Sequence, residues 1–523
     1  MTYLCVPILV ESVAQAKQQM ALAAEAGADM VELRLDEFTE PGPVEALLRS
    51  APVPTIATCR PQWEGGESSL DDVERFRLLD ECIDDTASYI DLELKAYQNS
   101  GSWLPRDKCP GLIVSSHDFT GRPARLYKIV GDLNASSSDV NKIAWMARSI
   151  RDNLEAFELL QSRQKPTIAL CMGEAGLMSR VLAKKFGAFL TFASLRPTEA
   201  TAPGQPTIEE MKRLYRWDAI NEKTKVFGVV GSPIAHSMSP AIHNAAFDHT
   251  GFDGVYLPML VEPSYESFKA FMESFLAFPS LDLTGLSITI PHKENALKYL
   301  QSKGATIDEL AQKIGAVNTI SIDPTVSGGA QLRGFNTDHD AILDSITEKL
   351  QITREQLSDY RIAIIGAGGT ARTAVAALAS HGATVVIYNR TREKADALAA
   401  EFNNHSSRVV AARMEKLCDS CCHIFINATP VGMYPNIDAS PLDGQSVHFT
   451  PETLVFDTIY NPARTKLIRL AQEQGAKTIA GEEMFIRQAV AQFRIFTGGE
   501  GAPQVMRQAL QSRLAQLESP TSE

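Results

Sequence analysis

Two side chains that can act on a carbonyl stand in neighbouring strand-like segments of the first half of the chain. Lys142 lies inside the apolar run VNKIAW, and His117 ends the preceding run, IVSSHDF. A lysine among apolar neighbours loses its charge more readily, and as a free amine it attacks a carbonyl to form a Schiff base. A histidine at the same edge takes up and returns protons. Each residue alone also fits a structural role, as a strand-edge lysine or a hydrogen-bonded core histidine.

Arginines stand at the ends of other strand-like runs in the same half. They are Arg34 in VELRLD, Arg60 in ATCRPQWEGGE and Arg180 in GEAGLMSR. Guanidinium groups bind carboxylates through paired, charge-assisted hydrogen bonds. Several of them around one opening therefore indicate a substrate with a carboxylate, although any one arginine alone fits a surface position equally well.

A glycine-rich turn follows the apolar strand RIAII in the second half. In GAGGTAR, Gly366 permits a tight turn, Gly368 lets the backbone approach a pyrophosphate, and Ala371 allows close helix packing. The next strand ends in YNRTREK, where an NAD site usually carries an acidic residue. The residues at this end are Asn389, Arg390, Thr391 and Lys394. Basic groups here fit the 2′-phosphate of NADP, which we predict as the cofactor.

The spacing of apolar runs predicts the elements that position these residues. Eight strand-like runs alternate with helical periodicity over about the first 220 residues, and they begin at Tyr3, Ala28, Pro54, Tyr89, Gly111, Val140, Pro166 and Phe189. This pattern predicts a (β/α)8 TIM barrel, whose strand C-terminal ends carry the chemistry. After the polar segment RLYRWDAINEKTK, two further α/β patterns begin at KVFGVV and at RIAIIGAGGTAR, and the second predicts a doubly wound, Rossmann-like sheet.

Six motifs of the first half occur in an order that resembles type I 3-dehydroquinate dehydratase. They are VELRLD, TCRPQWEGGE, SSHDF, the lysine of NKIA, MGEAGLMSR and TAPGQPT, between about Leu4 and Tyr215. The resemblance implies that Lys142 forms an imine with the substrate's ketone and that His117 moves the protons. It implies that Glu64 orients His117 and that Arg180 binds the carboxylate. The remaining substrate contacts are expected from Glu32, Arg34, Arg60, Gln205 and Thr201, the last standing where the family often has serine.

The second half resembles shikimate dehydrogenase from about Lys225 to Thr497. The motifs are SPIAHSMSP, SITIPHKE, GAVNTI, FNTDHDAI, NATPVGM, YNPARTKL and GEEMFIRQA. The resemblance implies that Lys293 and Asp338 form the catalytic pair, with Lys293 delivering a proton to the carbonyl oxygen as hydride reaches the carbon. Outside this motif context, a lysine and an aspartate so far apart would indicate a structural ion pair or no contact.

The same resemblance assigns the other contacts of the second half. Substrate is expected to meet Ser237 and Ser239 through its carboxylate, and Thr289, Asn318, Gln488 and Tyr460 elsewhere. The cofactor is expected to meet the glycine loop Gly366, Ala367, Gly368, Gly369, Thr370 and Ala371, and also Asn427, Ala428, Thr429 and Gly481.

Together, the two resemblances imply a bifunctional shikimate-pathway enzyme that dehydrates 3-dehydroquinate and reduces the product to shikimate with NADPH. The expected domains are a dehydratase barrel over residues 1–221, a substrate-binding domain over 225–340 to which helices in 482–517 return, and an NADP-binding domain over 341–481.

Composition and charge exclude several other classes of protein. With 50 basic and 63 acidic residues the formal charge is −13, which argues against a nucleic-acid partner. No apolar run approaches the roughly 20 residues of a membrane-spanning helix, and the start MTYLCVPILVES lacks the features of a signal peptide. We therefore expect small-molecule partners and a cytoplasmic location, or a plastid one if a transit peptide has been removed. No metal site is expected, because Cys418, Cys421 and Cys422 lack a second cysteine pair.

Two alternatives stay open at this point. Fungal quinate-pathway repressors resemble the same pair of domains, but a repressor would not need Lys142, His117, Lys293 and Asp338, all of which are present. The reductase half is also compatible with quinate as its substrate. His339 and Ser287 depart from the usual pattern of the family, and they are where we expect such a preference to be set.

Overall fold

The computed structural model describes residues 1–38, 44–83, 87–99, 111–323, 329–403, 408–417 and 422–518, so Cys418 and Cys421 lie outside the described residues. The chain forms two compact units. The first comprises Met1–Val226, Asp253–Val261 and Phe271–Asp282, and the second comprises Phe227–Phe252, Glu262–Ala270 and Leu283–Glu523. The predicted bounds of the three domains stay a prediction. None of the described helices is both long enough and apolar enough to cross a membrane.

The first unit contains an eight-stranded parallel sheet that curls into a barrel. Its strands are β1 (Tyr3–Leu9), β2 (Met30–Arg34), β3 (Thr55–Thr58), β4 (Tyr89–Glu93), β5 (Gly111–Asp118), β6 (Val140–Met146), β7 (Thr167–Met172) and β8 (Leu190–Phe192). Neighbours follow the chain from β1 to β7, and β8 pairs with β1. The Phe189 N–H donates to the Thr167 carbonyl over 2.8 Å, which brings the last strand back beside β7. The predicted barrel and all eight predicted strands are confirmed.

Helices separate most of these strands. They are α1 (Val13–Glu25), α2 (Val44–Leu48), α3 (Asp72–Asp80), α4 (Leu94–Asn99), α5 (Leu126–Ala135), α6 (Asp152–Gln161) and α7 (Leu177–Val181). Polar side chains fix the start of some of them. Ser12 accepts from the Gln15 N–H before α1, and Asp71 and Glu74 form a reciprocal capping box before α3.

The pleat of β6 settles which way Lys142 points. Val140 and Ala144 both belong to the apolar cluster formed inside the ring of strands. Since side chains two residues apart in a strand share a face, Lys142 points into the barrel. The sequence left this orientation open, because helices cover the outer face of a barrel strand and make both faces apolar.

Residues 222–226 and Asp282 are tied to the barrel within the first unit. The Lys185 side chain is buried, and its Nζ donates to the carbonyls of Glu222 and Thr224 over 2.8 and 3.0 Å. The same ammonium pairs with Asp282 over 2.7 Å. These contacts fix the chain where it leaves the barrel.

A second sheet follows the barrel along the chain. Its elements are β9 (Lys225–Gly231), α8 (Ser239–Thr250), β10 (Gly254–Leu260), α9 (Tyr265–Leu276), β11 (Leu283–Ile288), α10 (Lys293–Ser302), β12 (Thr306–Ile307), α11 (Glu309–Ile314), β13 (Thr319–Asp323), β14 (Gln331–Phe335) and α12 (Asp338–Leu350). In the second unit the strand order is β9-β11-β13-β14-β12. The sequence did not predict β12 and β14, because a two-residue strand and the polar run QLRGF lack a clear apolar pattern.

The third sheet has the doubly wound strand order β17-β16-β15-β18-β19-β20, with every neighbouring pair parallel. Its elements are β15 (Arg361–Ile365), α13 (Gly369–Ser380), β16 (Thr384–Tyr388), α14 (Arg392–Phe402), β17 (Val409–Ala412), β18 (Ile424–Asn427), β19 (Leu454–Asp457), α15 (Lys466–Glu473), β20 (Lys477–Ile479), α16 (Gly481–Thr497) and α17 (Pro503–Glu518). The predicted Rossmann-like fold is confirmed. Helix α17 packs on α8, and α16 contacts β11 and β13.

Candidate active sites

All nine polar residues predicted for the barrel site line one cavity. They are Glu32, Arg34, Arg60, Glu64, His117, Lys142, Arg180, Thr201 and Gln205. They come from the C-terminal ends of the strands and the loops beyond them, where a barrel of this type carries its chemistry. The apolar part of the wall includes Leu170, Met172 and Phe192.

Lys142 is buried and is held by two carboxylates. Its Nζ lies 2.7 Å from Asp91 Oδ2 and 3.2 Å from Glu32 Oε1, and 4.6 Å from the centre of the Phe192 ring. Two carboxylates this close stabilise a positive charge on the nitrogen, an effect that burial among apolar side chains alone does not provide.

His117 and Glu64 form a close pair at the mouth. Glu64 Oε1 lies 2.9 Å from His117 Nδ1 and also accepts the His117 backbone N–H over 2.9 Å. Burial raises the pKa of the Glu64 carboxyl to about 8. Burial, with the positive charges of Arg60 and Lys142, holds the pKa of His117 well below its ordinary value. Both groups are then uncharged at neutral pH, which leaves the imidazole able to accept a proton.

Arg180 is a buried cation without an acceptor. It is 1% exposed, and its Nε and Nη2 have no hydrogen-bond partner among the described residues. Burial lowers the pKa of its guanidinium to about 10. A buried charge of this kind is costly unless an anion joins it. Gln205 Nε2 is likewise without a partner there, while Gln205 Oε1 accepts the Thr201 N–H over 3.0 Å. The cavity therefore offers a buried positive charge and an unpartnered amide donor to a ligand.

Arg60 is anchored by residues that the sequence patterns did not single out. Its guanidinium pairs with Asp91 over 2.8 Å and with Glu93 over 2.7 Å, and Nη1 also donates to Ser115 over 2.8 Å. Arg34 pairs with Asp36 over 2.5 Å. Asp91 and Glu93 lie in YIDLEL, whose acidic residues alternate with apolar ones as in a solvent-facing strand. In a barrel, however, one face of each strand points inward and lines the site, and these acidic residues lie on that face.

In the second unit, the predicted pair Lys293 and Asp338 is in contact, with 2.5 Å between Nζ and Oδ2. Each residue begins a helix, α10 and α12 respectively. A helix N-terminus disfavours an ammonium and favours a carboxylate, so Asp338 supplies the negative charge that Lys293 needs there. Thr370 Oγ1 lies 3.4 Å from the same Nζ.

Other predicted substrate residues of the second unit make contacts among themselves and with their neighbours. The Tyr460 ring stacks on Phe485 with 4.0 Å between centroids, and its hydroxyl is in hydrogen-bond contact with Ser237 and the Met238 backbone. Burial raises the pKa of Tyr460. Ser237 Oγ accepts the N–H of Ser239 over 3.3 Å, and Gln488 Nε2 donates to the Phe485 carbonyl over 2.8 Å.

Asn318 and Thr289 stand at the ends of paired strands. Asn318 Oδ1 accepts the Thr337 N–H over 2.9 Å, beside Asp338 in the chain, and Thr289 N–H donates to the Val230 carbonyl over 2.9 Å. These contacts hold both residues at the sheet edge from which α10 and α12 begin. Every predicted substrate residue of the reductase is therefore fixed within the second unit, although only some of them touch one another.

The glycine loop fits a dinucleotide. Gly366 has φ +120°, and an added Cβ would lie 2.8 Å from the Ala428 carbonyl oxygen. An added Cβ on Gly368 would meet no atom within 4 Å, which leaves open space beside the N-terminus of α13 for a phosphate. At Gly369, an added Cβ would stand 3.1 Å from Lys293 Cδ. Ala367 and Ala371 complete the loop, and Ala371 is buried against the sheet.

The strand end after β16 carries exposed basic groups. Arg390, Thr391 and Lys394 are exposed, and the half-buried Asn389 donates from Nδ2 to the Thr391 carbonyl over 2.7 Å. Arg392 differs from its neighbours, because it bonds Asp396 and donates to the Ala411 carbonyl. Arg390 and Lys394 thus remain the basic groups suited to a phosphate.

The loop after β18 is tied to a buried aspartate. Thr429 donates from N–H and Oγ1 to Asn427 Oδ1, and Asn427 Nδ2 donates to Asp457 over 3.0 Å. Burial raises the pKa of Asp457 to about 6. The Ala428 N–H donates to the Ile365 carbonyl and so continues the sheet. At Gly481, an added Cβ would lie 2.3 Å from the Ile459 carbonyl oxygen, so only glycine fits there. Asp457 was missed because, from sequence alone, it is simply the last residue of a strand.

The two residues expected to set substrate preference have partners of their own. The Ser287 hydroxyl donates to Gln492 Oε1 over 2.6 Å. His339 is buried, and its Nδ1 lies 3.1 Å from Asp340. Neither contact assigns a substrate, so the preference stays a prediction.

Family models match the chain in four segments. Residues 4–222 match type I 3-dehydroquinase, and residues 229–320 match the shikimate dehydrogenase substrate binding domain. Residues 348–432 match shikimate/quinate 5-dehydrogenase, and residues 481–511 match the shikimate 5′-dehydrogenase C-terminal domain.

Individual proteins match one half or the whole chain. The shikimate dehydrogenase (NADP(+)) of Methanocaldococcus jannaschii is 39% identical over 296 residues, which is 56% of this chain and 98% of that protein. A solved structure, the dehydroquinate dehydratase and shikimate dehydrogenase from S. pombe AroM, is 25% identical, covers 97% of this chain and 98% of its own, and has a TM-score of 0.42. The chloroplastic bifunctional 3-dehydroquinate dehydratase/shikimate dehydrogenase of Arabidopsis thaliana is 37% identical over 514 residues, 95% of this chain and 82% of that protein. The chain therefore belongs to the bifunctional 3-dehydroquinate dehydratase/shikimate dehydrogenase family.

Proposed function

We propose that this bifunctional enzyme dehydrates 3-dehydroquinate through a Schiff base on Lys142 and then reduces 3-dehydroshikimate to shikimate with NADPH. The observation that carries the proposal is the convergence of nine polar side chains on one cavity, with Lys142 inside it and the buried, unpartnered Arg180 in its wall. A carboxylate at Arg180 supplies the missing anion, and Lys142 supplies the nucleophile.

The dehydration divides into steps that these residues can perform. The Lys142 nitrogen attacks the ketone, a proton from that nitrogen passes to the oxygen of the carbinolamine, and this oxygen leaves as water, which gives a positively charged iminium. The iminium acidifies the neighbouring C–H, whose proton His117 accepts. The resulting enamine expels the β-hydroxyl, which His117 protonates as it leaves, and water releases the product from Lys142. Glu64 keeps the imidazole in position through the contact at Nδ1.

The reduction uses the second lysine as a proton donor. NADPH supplies the hydride when it is bound. Lys293 gives its proton to the carbonyl oxygen, and Asp338 fixes the direction of that ammonium from 2.5 Å. Ser237, Ser239, Thr289, Asn318, Tyr460 and Gln488 are the residues proposed to hold the substrate.

NADP is the proposed cofactor for two reasons. The glycine loop leaves room for a pyrophosphate. Arg390 and Lys394 are exposed cations at the strand end that contacts the cofactor's ribose in folds of this type. The relatives named as NADP(+) enzymes support the same choice. Asn427, Ala428, Thr429 and Gly481 complete the proposed cofactor side of the site.

A coupled assay tests both halves together. Dehydroquinate and NADPH are supplied, and shikimate formation and NADPH loss are followed. We expect one NADPH consumed for each shikimate formed, and NADPH loss without dehydroquinate would contradict the sequence of reactions. Quinate with NADP in the reverse direction tests the alternative substrate, and turnover comparable to that with shikimate would favour it.

The regulatory alternative predicts a different result. A repressor would bind DNA without turning over dehydroquinate, so a gel-shift with no dehydration would support it. The ion pairs of Lys142 and Lys293 argue for catalysis, because a ligand sensor needs neither proton donor nor nucleophile. The compartment stays a prediction, cytoplasm or plastid; the Arabidopsis relative is named as chloroplastic.

A further inference from the structure

Asp91 is the carboxylate nearest to the nitrogen of Lys142. It lies in β4 with no exposed surface, and its Oδ2 is 2.7 Å from Nζ. Its other oxygen accepts the Ser115 hydroxyl over 2.6 Å and pairs with Arg60 over 2.8 Å. Asp91 is therefore fixed on one side and faces the lysine with the other.

The charge on the lysine nitrogen decides what such a carboxylate can do. An ammonium and a ketone become an iminium and water, so the nitrogen carries one positive charge before and after the covalent step. A buried positive charge is costly without a negative partner. Burial alone would raise the pKa of Asp91, but Arg60 and Lys142 outweigh it, so that the pKa lies below the ordinary value. Asp91 thus keeps its negative charge throughout, which makes it a poor proton acceptor.

The geometry points to Asp91 as a further catalytic residue, the counter-ion that stabilises the iminium formed on Lys142. This inference rests on the proposed Schiff-base function. Glu32 is the second carboxylate beside Nζ, but it is farther away at 3.2 Å and also accepts from Thr58. Proton transfer falls to His117, whose ring is uncharged.

The neighbouring strand residue provides a matched control. Glu93 is on the same strand, equally buried, and pairs with the same Arg60 over 2.7 Å, but its second cation is Arg75 rather than Lys142. Asp91→Asn and Glu93→Gln each remove one negative charge from the same cluster. They differ in whether that charge touches the reacting nitrogen.

The first readout is the covalent adduct itself. Full-length protein is mixed with dehydroquinate and borohydride, and the mass of the peptide containing Lys142 is measured. We expect the trapped fraction to fall about tenfold or more, and dehydratase kcat by on the order of 10²-fold, in Asp91→Asn. Glu93→Gln should lower the trapped fraction clearly less than Asp91→Asn does, because the Glu93 carboxylate pairs with Arg60 and Arg75 and does not touch Nζ.

The second readout separates an electrostatic role from a structural one. The charged and titratable groups around Asp91 and Lys142 are Cys5, Glu32, Arg34, Arg60, Glu64, Glu93, His117 and Arg180. Removing a carboxylate from this set makes every nearby cation lose its proton more easily. The acid limb of dehydratase kcat/KM should therefore move to lower pH in Asp91→Asn, whereas a structural defect alone would leave it in place.

The possible results distinguish a failure of the counter-ion role from a failure of the proposed Schiff-base function. Unchanged trapping and an unmoved acid limb in Asp91→Asn overturn the counter-ion role, and so does an equal effect of Glu93→Gln. If wild-type protein itself gives no adduct on Lys142, the proposed Schiff-base function fails instead. Should Asp91→Asn not fold, Asp91→Ser removes the same charge with a smaller side chain and carries the same test.

Discussion

Each of the two lysines proposed to act in catalysis pairs with an aspartate, but the residues around the two ion pairs differ. Lys142 lies in the middle of a strand, and its aspartate sits in a network of buried ion pairs that reaches Arg60 and Glu93. Lys293 begins a helix, and beyond Asp338 its nearest polar neighbour is Thr370 of the glycine loop. The role proposed for the first lysine is to form a covalent bond that leaves a positive charge on its nitrogen, and its surroundings carry several charges that can stabilise it. The second needs only to donate a proton, so one well-placed carboxylate is enough.

The cations proposed to bind anions also differ in burial between the two sites. In the barrel, the cation meant for the substrate is Arg180, buried and without a partner among the described residues. In the reductase, the cations meant for the cofactor phosphate, Arg390 and Lys394, are exposed. A buried cation gains strength from the low dielectric and selects one small ligand, whereas exposed cations give a weaker, more adjustable attraction. Variants at the two sites test this difference.

Loss of the nucleophile should have the largest effect. We expect Lys142→Ala to reduce dehydration by on the order of 10⁴-fold or more, because no other group can form the imine. Reduction of 3-dehydroshikimate should stay within about twofold of wild type. Both activities are measured on the same full-length preparation. A dehydratase that keeps most of its rate would contradict the covalent route.

The reciprocal variant affects the other reaction. Lys293→Ala should lower reductase kcat by about 10²- to 10⁴-fold, the usual contribution of a positioned proton donor, and leave dehydration intact. Steady-state rates of the two reactions in one preparation check this. If both fell together in a folded variant, the two sites would not be independent, and the comparison of the two lysines would lose its basis.

Cofactor choice should change by a smaller amount. The double change Arg390→Ala with Lys394→Ala should raise KM for NADP about tenfold or more while KM for NAD changes little, because only NADP carries the 2′-phosphate. Arg392→Ala is the control, since that guanidinium already bonds Asp396 and Ala411. An equal effect of Arg392→Ala, or comparable kcat/KM for NAD and NADP in the wild type, would refute the assignment.

The smallest expected effect is a change of pH profile in the barrel. The pKa of Glu64 is raised to about 8, so Glu64 and His117 hold a proton between them below that pH and lose it above. Dehydration should then fall by about fivefold between pH 8 and pH 9, because an ionised Glu64 beside Nδ1 holds the imidazolium in its charged form, and His117 returns the proton to the leaving hydroxyl less readily.

Glu64→Gln removes the group that titrates. We expect its dehydratase rate to change less than about twofold over the same range. The reductase profile, measured on the same protein, provides the internal control. A wild-type profile that is flat through pH 8 would show that Glu64 does not carry the proton.

Sequence patterns predicted the barrel strands and the cavity-lining residues well, because both follow from local rules. Strand ends in a barrel converge, so the order of the strands along the chain is enough to expect that Lys142, His117 and Arg180 meet. Asp91 could not be found in this way, since acidic residues alternate with apolar ones in any half-exposed strand. Its role depends on which face of β4 turns inward. That Lys293 touches Thr370 likewise depends on how two loops approach, which no spacing in the chain encodes.

The tight approach at Gly369 constrains how this enzyme can be engineered. Any side chain there would press on Lys293, since even a Cβ would lie 3.1 Å from its Cδ. A side chain at Gly369 is therefore expected to disturb the proposed proton donor as well as nucleotide binding. The strand end at Arg390 and Lys394 is under no such constraint. Cofactor preference can drift through natural variation, or be redesigned, at that strand end while the acid that completes the reduction stays in place.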